Sequence, residues 1–466
     1  MNDPHDPHGP DAPDDPDEFD PLSLPDYKPG NSAVLTDGER WPTLTAAGAA
    51  RLERWRGHPH APVWVHATGD RLTEHELDRV RRPLPTENWL EEHLERARKL
   101  LRYRRHPGLN HVSDFPLIER RDLAEDLASF IPLDADLDRM VGGTSSGTTG
   151  AALVLPDDRE EVARGFHLLR ELVVARGLSW EPDEERVAVA HLVHQRQAFT
   201  YVSVISSFAH SAMVRLNLEH SWWPNESSRA RFLAEANPQI ISGNPSSLNE
   251  LLASDLVGTV RPLAIFSGAM ALSAPLRAAL EAAFDAPVFD IYGLHETRPI
   301  AVRTDDGPFR VLDRRVLVES LDKDGMPVPE GEIGELVVTA GENPLLPLVR
   351  YRTGDFGRLL TLPDGGVGIG DLEGRDHTRF LAADGRIVPC VDLTQQLQSQ
   401  GALAWSVQQH ADGSIAARIA DGNRQLIYDA LSALLGQKVT VEAVETVAQL
   451  GEGKPRRYQS AALPPD

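Results

Sequence analysis

Four short apolar runs rich in β-branched residues punctuate the middle of this chain: RVAVAHLV (186–193), PQIISG (238–243), RPLAIFSG (261–268) and PVFDIYG (287–293). Helix-patterned segments separate them. Strand-like runs alternating with helices must cover one another in layers, which restricts the fold class to α/β. Upstream, NWLEEHLERARKLLRYR places Leu90, Leu94, Ala97 and Leu101 on one stripe with charges opposite, and this predicts an amphipathic helix. Downstream, GELVVTAG and PLVRYRTGDFGRLLTLPDGGVGIGDLEG are broken by Gly and Asp-Gly turns and predict a β-rich subdomain. After Gly374 the pattern changes again. AWSVQQHADGSIAARIA reads as a hairpin turning at Asp412-Gly413, NRQLIYDALSALLG as a helix ending at Gly436, and KVTVEAVETV as a strand. A small α+β lid is expected there.

At 466 residues the chain is too long for one simple core. Residues 1–30 hold eight Pro and eight Asp with Lys28 as their one basic residue, so this stretch cannot bury enough apolar surface to order itself. The expected division is a disordered acidic leader (1–35), a large body (36–373) and a C-terminal lid (374–466). The net charge of −23 repels nucleic acid and anionic membrane surfaces, so neither is an expected partner. A single cysteine, Cys390, excludes an intrachain disulfide and a cysteine-rich zinc site. His5, His8, His191 and His194 lack metal spacing. The opening MNDPHDPHGP has no apolar segment of the secretory type, no run is long enough to span a bilayer, and the expected location is cytoplasmic.

GGTSSGTTG (142–150) offers backbone N–H groups and hydroxyls without bulky side chains, a suitable cradle for phosphate oxygens. By composition alone a plain loop is the commoner reading. It is not the GxxxxGK[ST] phosphate loop, because Ala151 and Ala152 follow Gly150.

Further segments follow in order: FDIYGLHET (289–297), GELVVT (334–339), PLVRYRTGDFGRL (347–359), GRDHTRF (374–380) and EGKPRRY (452–458). Taken together, from about Asn88 to the end, the chain resembles the adenylate-forming superfamily, and within it the phenylacetate–CoA ligase group. The resemblance implies a large adenylation body and a small mobile C-terminal α+β lid. It implies that ATP, Mg2+ and a small-molecule carboxylic acid are bound, with CoA as the default acyl acceptor. Thr144, Ser145, Ser146, Gly147, Thr148, Thr149 and Gly150 would cradle the terminal phosphates. Ser267, Gly268, Ala269, Asp290, Tyr292 and Gly293 would line the nucleotide site, Tyr292 stacking on adenine. Glu296 would ligate magnesium, a hard ion suited to a carboxylate. Asp355 would accept both ribose hydroxyls, Arg375 would open the hinge, and Lys454 would reach in from the lid to neutralise charge as pyrophosphate departs.

Departures from the family pattern leave alternatives open. Ala151 stands where the family carries lysine, Met270 where it carries an acid, and His295 where it carries a hydroxyl that meets the α-phosphate. An imidazole there can still donate to phosphate, and His295 is counted with Glu296 and Lys454 as catalytic. At the hinge, His377 takes the aspartate position and Asp384 the glycine position, which leaves the thioester step open: the acceptor is CoA, an amine or a carrier protein. Phe199, beside Thr200, is read as an aryl-pocket wall or as a core aromatic. A degenerate nucleotide- or acyl-binding protein without catalysis is the reading from another class.

Overall fold

The computed structural model describes residues 35–145, 153–194, 198–373, 378–402, 404–445, 447–450 and 458–462. The acidic leader assigned to 1–35 lies almost entirely outside them.

A short antiparallel hairpin, β1 (Met140–Ser145) and β2 (Leu153–Asp158), leads into the main sheet. Asp158 caps the following helix, Arg159–Ala175, by accepting from the Glu160 and Glu161 backbone N–H groups. Five strands form the parallel heart of the sheet: β3 (Val189–Val193), β5 (Ser211–Asn217), β6 (Ile240–Gly243), β7 (Ala264–Gly268) and β8 (Val288–Leu294), with antiparallel β4 (Tyr201–Ile205) at one edge. The four runs singled out in the sequence are therefore strands. β9 (Arg298–Arg303), β10 (Phe309–Val311), β11 (Val316–Leu321), β12 (Ile333–Ala340), β13 (Leu348–Thr361) and β14 (Val367–Glu373) complete it.

The order is β11-β12-β13-β14-β10-β9-β8-β7-β6-β3-β5-β4, twelve strands in one sheet. The β-rich stretch is thus no subdomain with a sheet of its own. β9 and β10 pair in series between β8 and β14, so hydrogen bonding runs on without a break. Periodicity located these strands but carries no information about which edge they join.

The two faces of the parallel strands bury different sets. On one, Leu192, Leu216, Ile241 and Ile265 pack beneath Leu248, Leu276 and Leu280 of helices Pro245–Ala253 and Ala274–Phe284, with Trp222 and Trp223 in the same core. On the other, Val189, Ile240, Phe266 and Phe289 meet Leu168 and Val173 of helix Arg159–Ala175. The predicted N-terminal helix spans Trp89–Arg98 and buries Leu94 and Ala97. It ends before Leu101, which stays 45% exposed, so the apolar stripe stops one turn early.

The C-terminal residues carry a separate core. β15 (Arg379–Leu381) and β16 (Ile387–Pro389) form a hairpin; β17 (Ala404–Gln409), β18 (Ile415–Ala420), β19 (Val439–Val444) and β20 (Tyr458–Ser460) form a sheet ordered β19-β18-β17-β20. Phe380, Cys390, Trp405, Leu431 and Tyr458 fill it, and the Trp405 indole donates to the Tyr458 hydroxyl at 2.8 Å. Helix Arg424–Leu435 closes on Gly436, whose φ of +62° is the left-handed cap that glycine adopts cheaply. The Cys390 thiol donates to Glu373 Oε2, at the end of β14, across 3.3 Å, joining this core to the main sheet. Among the described residues no helix is long and apolar enough to cross a membrane.

Candidate active site

Open α/β sheets bind ligands beyond the carboxyl ends of their parallel strands, which here include β7 and β8. Gly293 interrupts β8 at a register shift against β9, and a Cβ there would lie 2.5 Å from the Arg298 carbonyl oxygen. Only glycine lets the two backbones approach so closely. The turn that follows therefore projects His295 and Glu296 at the sheet's rim. Just past β7, Ala269 holds φ of +64°, a strained conformation for a residue with a Cβ, in the segment SGAM.

Three long-range contacts gather the motif segments. The Tyr292 hydroxyl donates to Asp355 Oδ2 at 3.0 Å within buried surroundings, tying β8 to β13. Gly354, at φ of +71°, makes the bend that presents Asp355. His295 Nε2 lies 3.1 Å from Asp157 Oδ2, tying the turn after β8 to β2, the strand that leaves the Gly/Ser/Thr segment. Glu296, 4% exposed, accepts from Arg120 Nη1 at 2.5 Å.

Behind His295, one guanidinium serves two acids. Arg298 lies 2.6 Å from Asp157 Oδ1 and 2.8 Å from Glu161 Oε1. Burial raises Glu161, with Arg298 opposing and Asp157 reinforcing, to about 7. Arg298 is itself raised by Glu161 and Asp157 against its own desolvation. The two shifts look inconsistent, since a pair that strengthens the cation should also strengthen the anion. A shared cation reconciles them: one positive charge cannot neutralise two buried carboxylates, so Glu161 keeps its proton more readily.

Asp290 and Ser267 lie on the opposite face of the sheet from Phe266 and Phe289. The Asp290 carboxylate is held by Arg303 at 2.7 Å, with Arg277 3.9 Å away. Ser267 Oγ and Thr297 Oγ1 are buried without a hydrogen-bond partner among the described residues. Phe199 is half-buried with its ring 5.7 Å from His66, and Thr200 donates to the Val63 carbonyl.

No protein-family profile matches the chain. Over 269 residues, 54% of the chain, it is 27% identical to the phenylacetate-coenzyme A ligase of Escherichia coli, and the match spans 58% of that enzyme's length. It is also 27% identical over 320 residues to the phenylacetate-coenzyme A ligase of Pseudomonas putida, covering 63% of the chain and 68% of that enzyme. A solved 2-hydroxyisobutyryl-CoA ligase, in the postadenylation state with R3-HIB-AMP, superimposes with a TM-score of 0.58 at 15% identity, covering 95% of this chain and 94% of that one. A second structure of that ligase, with 2-HIB-AMP, gives 0.56 at 14%.

The chain shares its fold with these acyl-CoA ligase structures, and its relatives in sequence, at 27% identity, are phenylacetate-coenzyme A ligases.

Tyr292, Gly293, His295 and Glu296 lie on β8 and the turn after it, and Asp355 of β13 is joined to them through Tyr292. Thr144 and Ser145 end β1. Ser146, Gly147, Thr148, Thr149, Gly150, Arg375 and Lys454 lie outside the described residues. No cluster of three or more His, Cys, Asp or Glu suited to a metal occurs among the described residues. The donor set at Glu296, one carboxylate beside a cation, fits a dication that brings most of its oxygen ligands with it on a triphosphate. Arg120, Asp157 and Arg298 escaped sequence reasoning. Arg120 is 176 residues from Glu296, and nothing local marks it. Asp157, a few residues past the Gly/Ser/Thr segment, was the one readable signal.

Proposed function

We propose that the protein activates a carboxylic acid with ATP to an acyl-adenylate and pyrophosphate, then transfers the acyl group to CoA. The observation that carries this reading is the buried Tyr292–Asp355 hydrogen bond, which unites two motifs 63 residues apart, one near the end of parallel strand β8 and one within β13. The curated relatives are phenylacetate-coenzyme A ligases, which favours an aryl or arylalkyl acid and CoA as acceptor.

In this reading the main sheet (part of body 36–373) grips the nucleotide and residues from 374 onward supply the moving lid. Asp355 accepts the ribose hydroxyls, Tyr292 packs against adenine, and the hydroxyl-rich segment 144–149 receives the terminal phosphates. His295, held by Asp157, donates a hydrogen bond towards the α-phosphate. Glu296, which here accepts from Arg120, would hold magnesium, and the bound ion would neutralise phosphate charge. Lys454 places its ammonium between the acid and the α-phosphate as pyrophosphate leaves. Catalysis rests on positioning and charge neutralisation, with no covalent enzyme intermediate.

The test is carboxylate-dependent ATP–pyrophosphate exchange over a panel of acids, with wild type and Lys454→Ala. Exchange with wild type that falls by roughly a hundredfold or more in the variant supports the reading. ATP binding without exchange for any acid overturns it. Offering CoA to the preformed adenylate then reads the acceptor.

A further inference from the structure

A row of side chains crosses the sheet on the face of Phe266 and Phe289. Backbone register sets Tyr201 opposite Arg215, Arg215 opposite His191, His191 opposite Ser242 and Ser242 opposite Phe266. Neighbours in register share a face, so the row is contiguous. It lies one alternation inward from Gly268 and Ile291, which are paired where β7 ends. His191 Nδ1 is 3.1 Å from Ser242 Oγ. His66 adds its ring 5.9 Å from Tyr201 and 5.7 Å from Phe199.

Two properties make this row a cleft floor rather than core. Tyr201, Arg215, His191, Ser242, His66 and Phe199 each keep part of their surface accessible. Yet burial drives His191 down to about 3, lowers His66 and raises Tyr201. Deep placement with retained access describes a concave, polar, aromatic-walled recess.

The charge in that recess is unbalanced. Arg215 is near enough to depress both His66 and His191, and its charge and a hydrogen bond to Tyr201 oppose the upward shift of that phenol. Its Nε is buried without a hydrogen-bond partner, and among the described residues no carboxylate pairs with it. In a chain of net charge −23, with acids in excess, this is conspicuous. A half-buried cation with no anion is unfavourable unless a ligand supplies one.

We infer that Arg215 binds a second carboxylate on the acid to be activated, so that the substrate is an extended aromatic dicarboxylic acid. This rests on the ligase reading above. Arg215 cannot serve the carboxylate that reacts. From β8, which carries the turn with His295 and Glu296, the order runs through β7, β6 and β3 to β5. Four inter-strand spacings amount to roughly 19 Å, several ångströms beyond the reach of an arginine side chain. The span left suits two carboxylates at opposite ends of a fused or linked ring system. Phe199, Tyr201 and His66 would flank the rings, and the planar guanidinium would meet the distal carboxylate through two hydrogen bonds.

The test is calorimetric binding to the full chain of terephthalate, naphthalene-2,6-dicarboxylate and biphenyl-4,4′-dicarboxylate, each against the matching monocarboxylate. Wild type, Arg215→Gln and Arg215→Lys are compared, with circular dichroism melting as the folding control. The expected result is a preference of roughly 10- to 100-fold for at least one dicarboxylate, lost in R215Q and partly kept in R215K. Equal binding of mono- and dicarboxylates by wild type, or equal weakening of both in the variants, overturns the inference. ATP–pyrophosphate exchange on the same samples separates the two claims. A dicarboxylate preference without exchange for any acid overturns the ligase reading and leaves the subsite standing. Exchange with equal kcat/KM for both acid classes overturns the subsite alone.

Discussion

Asp355 is buried, and its carboxylate already accepts from Tyr292. Its backbone N–H is held by Thr353 Oγ1 at 2.9 Å, and Thr353 in turn donates to the Leu336 carbonyl. The side chain therefore arrives aimed and, in the proposed reading, needs little reordering to accept a ribose. Asp355→Asn keeps the size, removes the charge and replaces one acceptor oxygen by a donor. Charge-assisted hydrogen bonds contribute about 1.5–3 kcal/mol each, so KM for ATP in the exchange assay should rise roughly 10- to 100-fold. Melting temperature should barely move. An unchanged KM would remove Asp355 from the nucleotide site. Residues of this kind were legible in the sequence because short strings such as RYRTGD and FDIYGLHE hold the backbone bends and the functional groups together. Arg120 and Arg215 were not legible. Their meaning depends on partners 176 residues away in one case and on strand register in the other, and neither leaves a local pattern.

Strand β2 links the Gly/Ser/Thr segment to the turn after β8 through Asp157, with Arg298 and Glu161 behind it. Because folding raises Glu161 to about 7 from a normal carboxylate value, the folded state holds this proton more tightly than the unfolded chain. The contribution to stability is then greatest below about pH 4.5, falls as pH rises towards 7, and levels off above. Glu161→Gln removes that slope. Across pH 5 to 8, wild-type stability should decline relative to E161Q by about 1–3 kcal/mol, read from chemical denaturation at each pH. Parallel curves would mean that Glu161 is ionised throughout. At the level of elements the strands were readable from alternation and turn residues, while their assembly was not. β11 to β14 looked like a module apart because their Gly-rich turns differ from the helix-bearing loops upstream. Their union with the parallel strands is made by β9 and β10, whose short runs carry weak patterning.

Across the whole molecule there are two cores: the twelve-stranded sheet with its helices, and the cluster around Trp405 and Tyr458. Alternation and composition anticipated the first, and the Asp412-Gly413 hairpin with the Gly436 cap anticipated the second. How far they turn against each other belongs to the proposal that Lys454 is delivered from the smaller one. Cys390 bears on that directly, since its sulfur touches Glu373 at the end of β14. Burial and the neighbouring carboxylate push this thiol well above the ordinary cysteine range, leaving little thiolate for an electrophile. At rest, then, iodoacetamide should modify the native chain far more slowly than the denatured one. With one sulfhydryl in 466 residues, alkylation becomes a built-in clock for the pivot: ATP and a cognate acid should quicken it if turnover swings the smaller core away, and a rate indifferent to both would speak for a fixed joint.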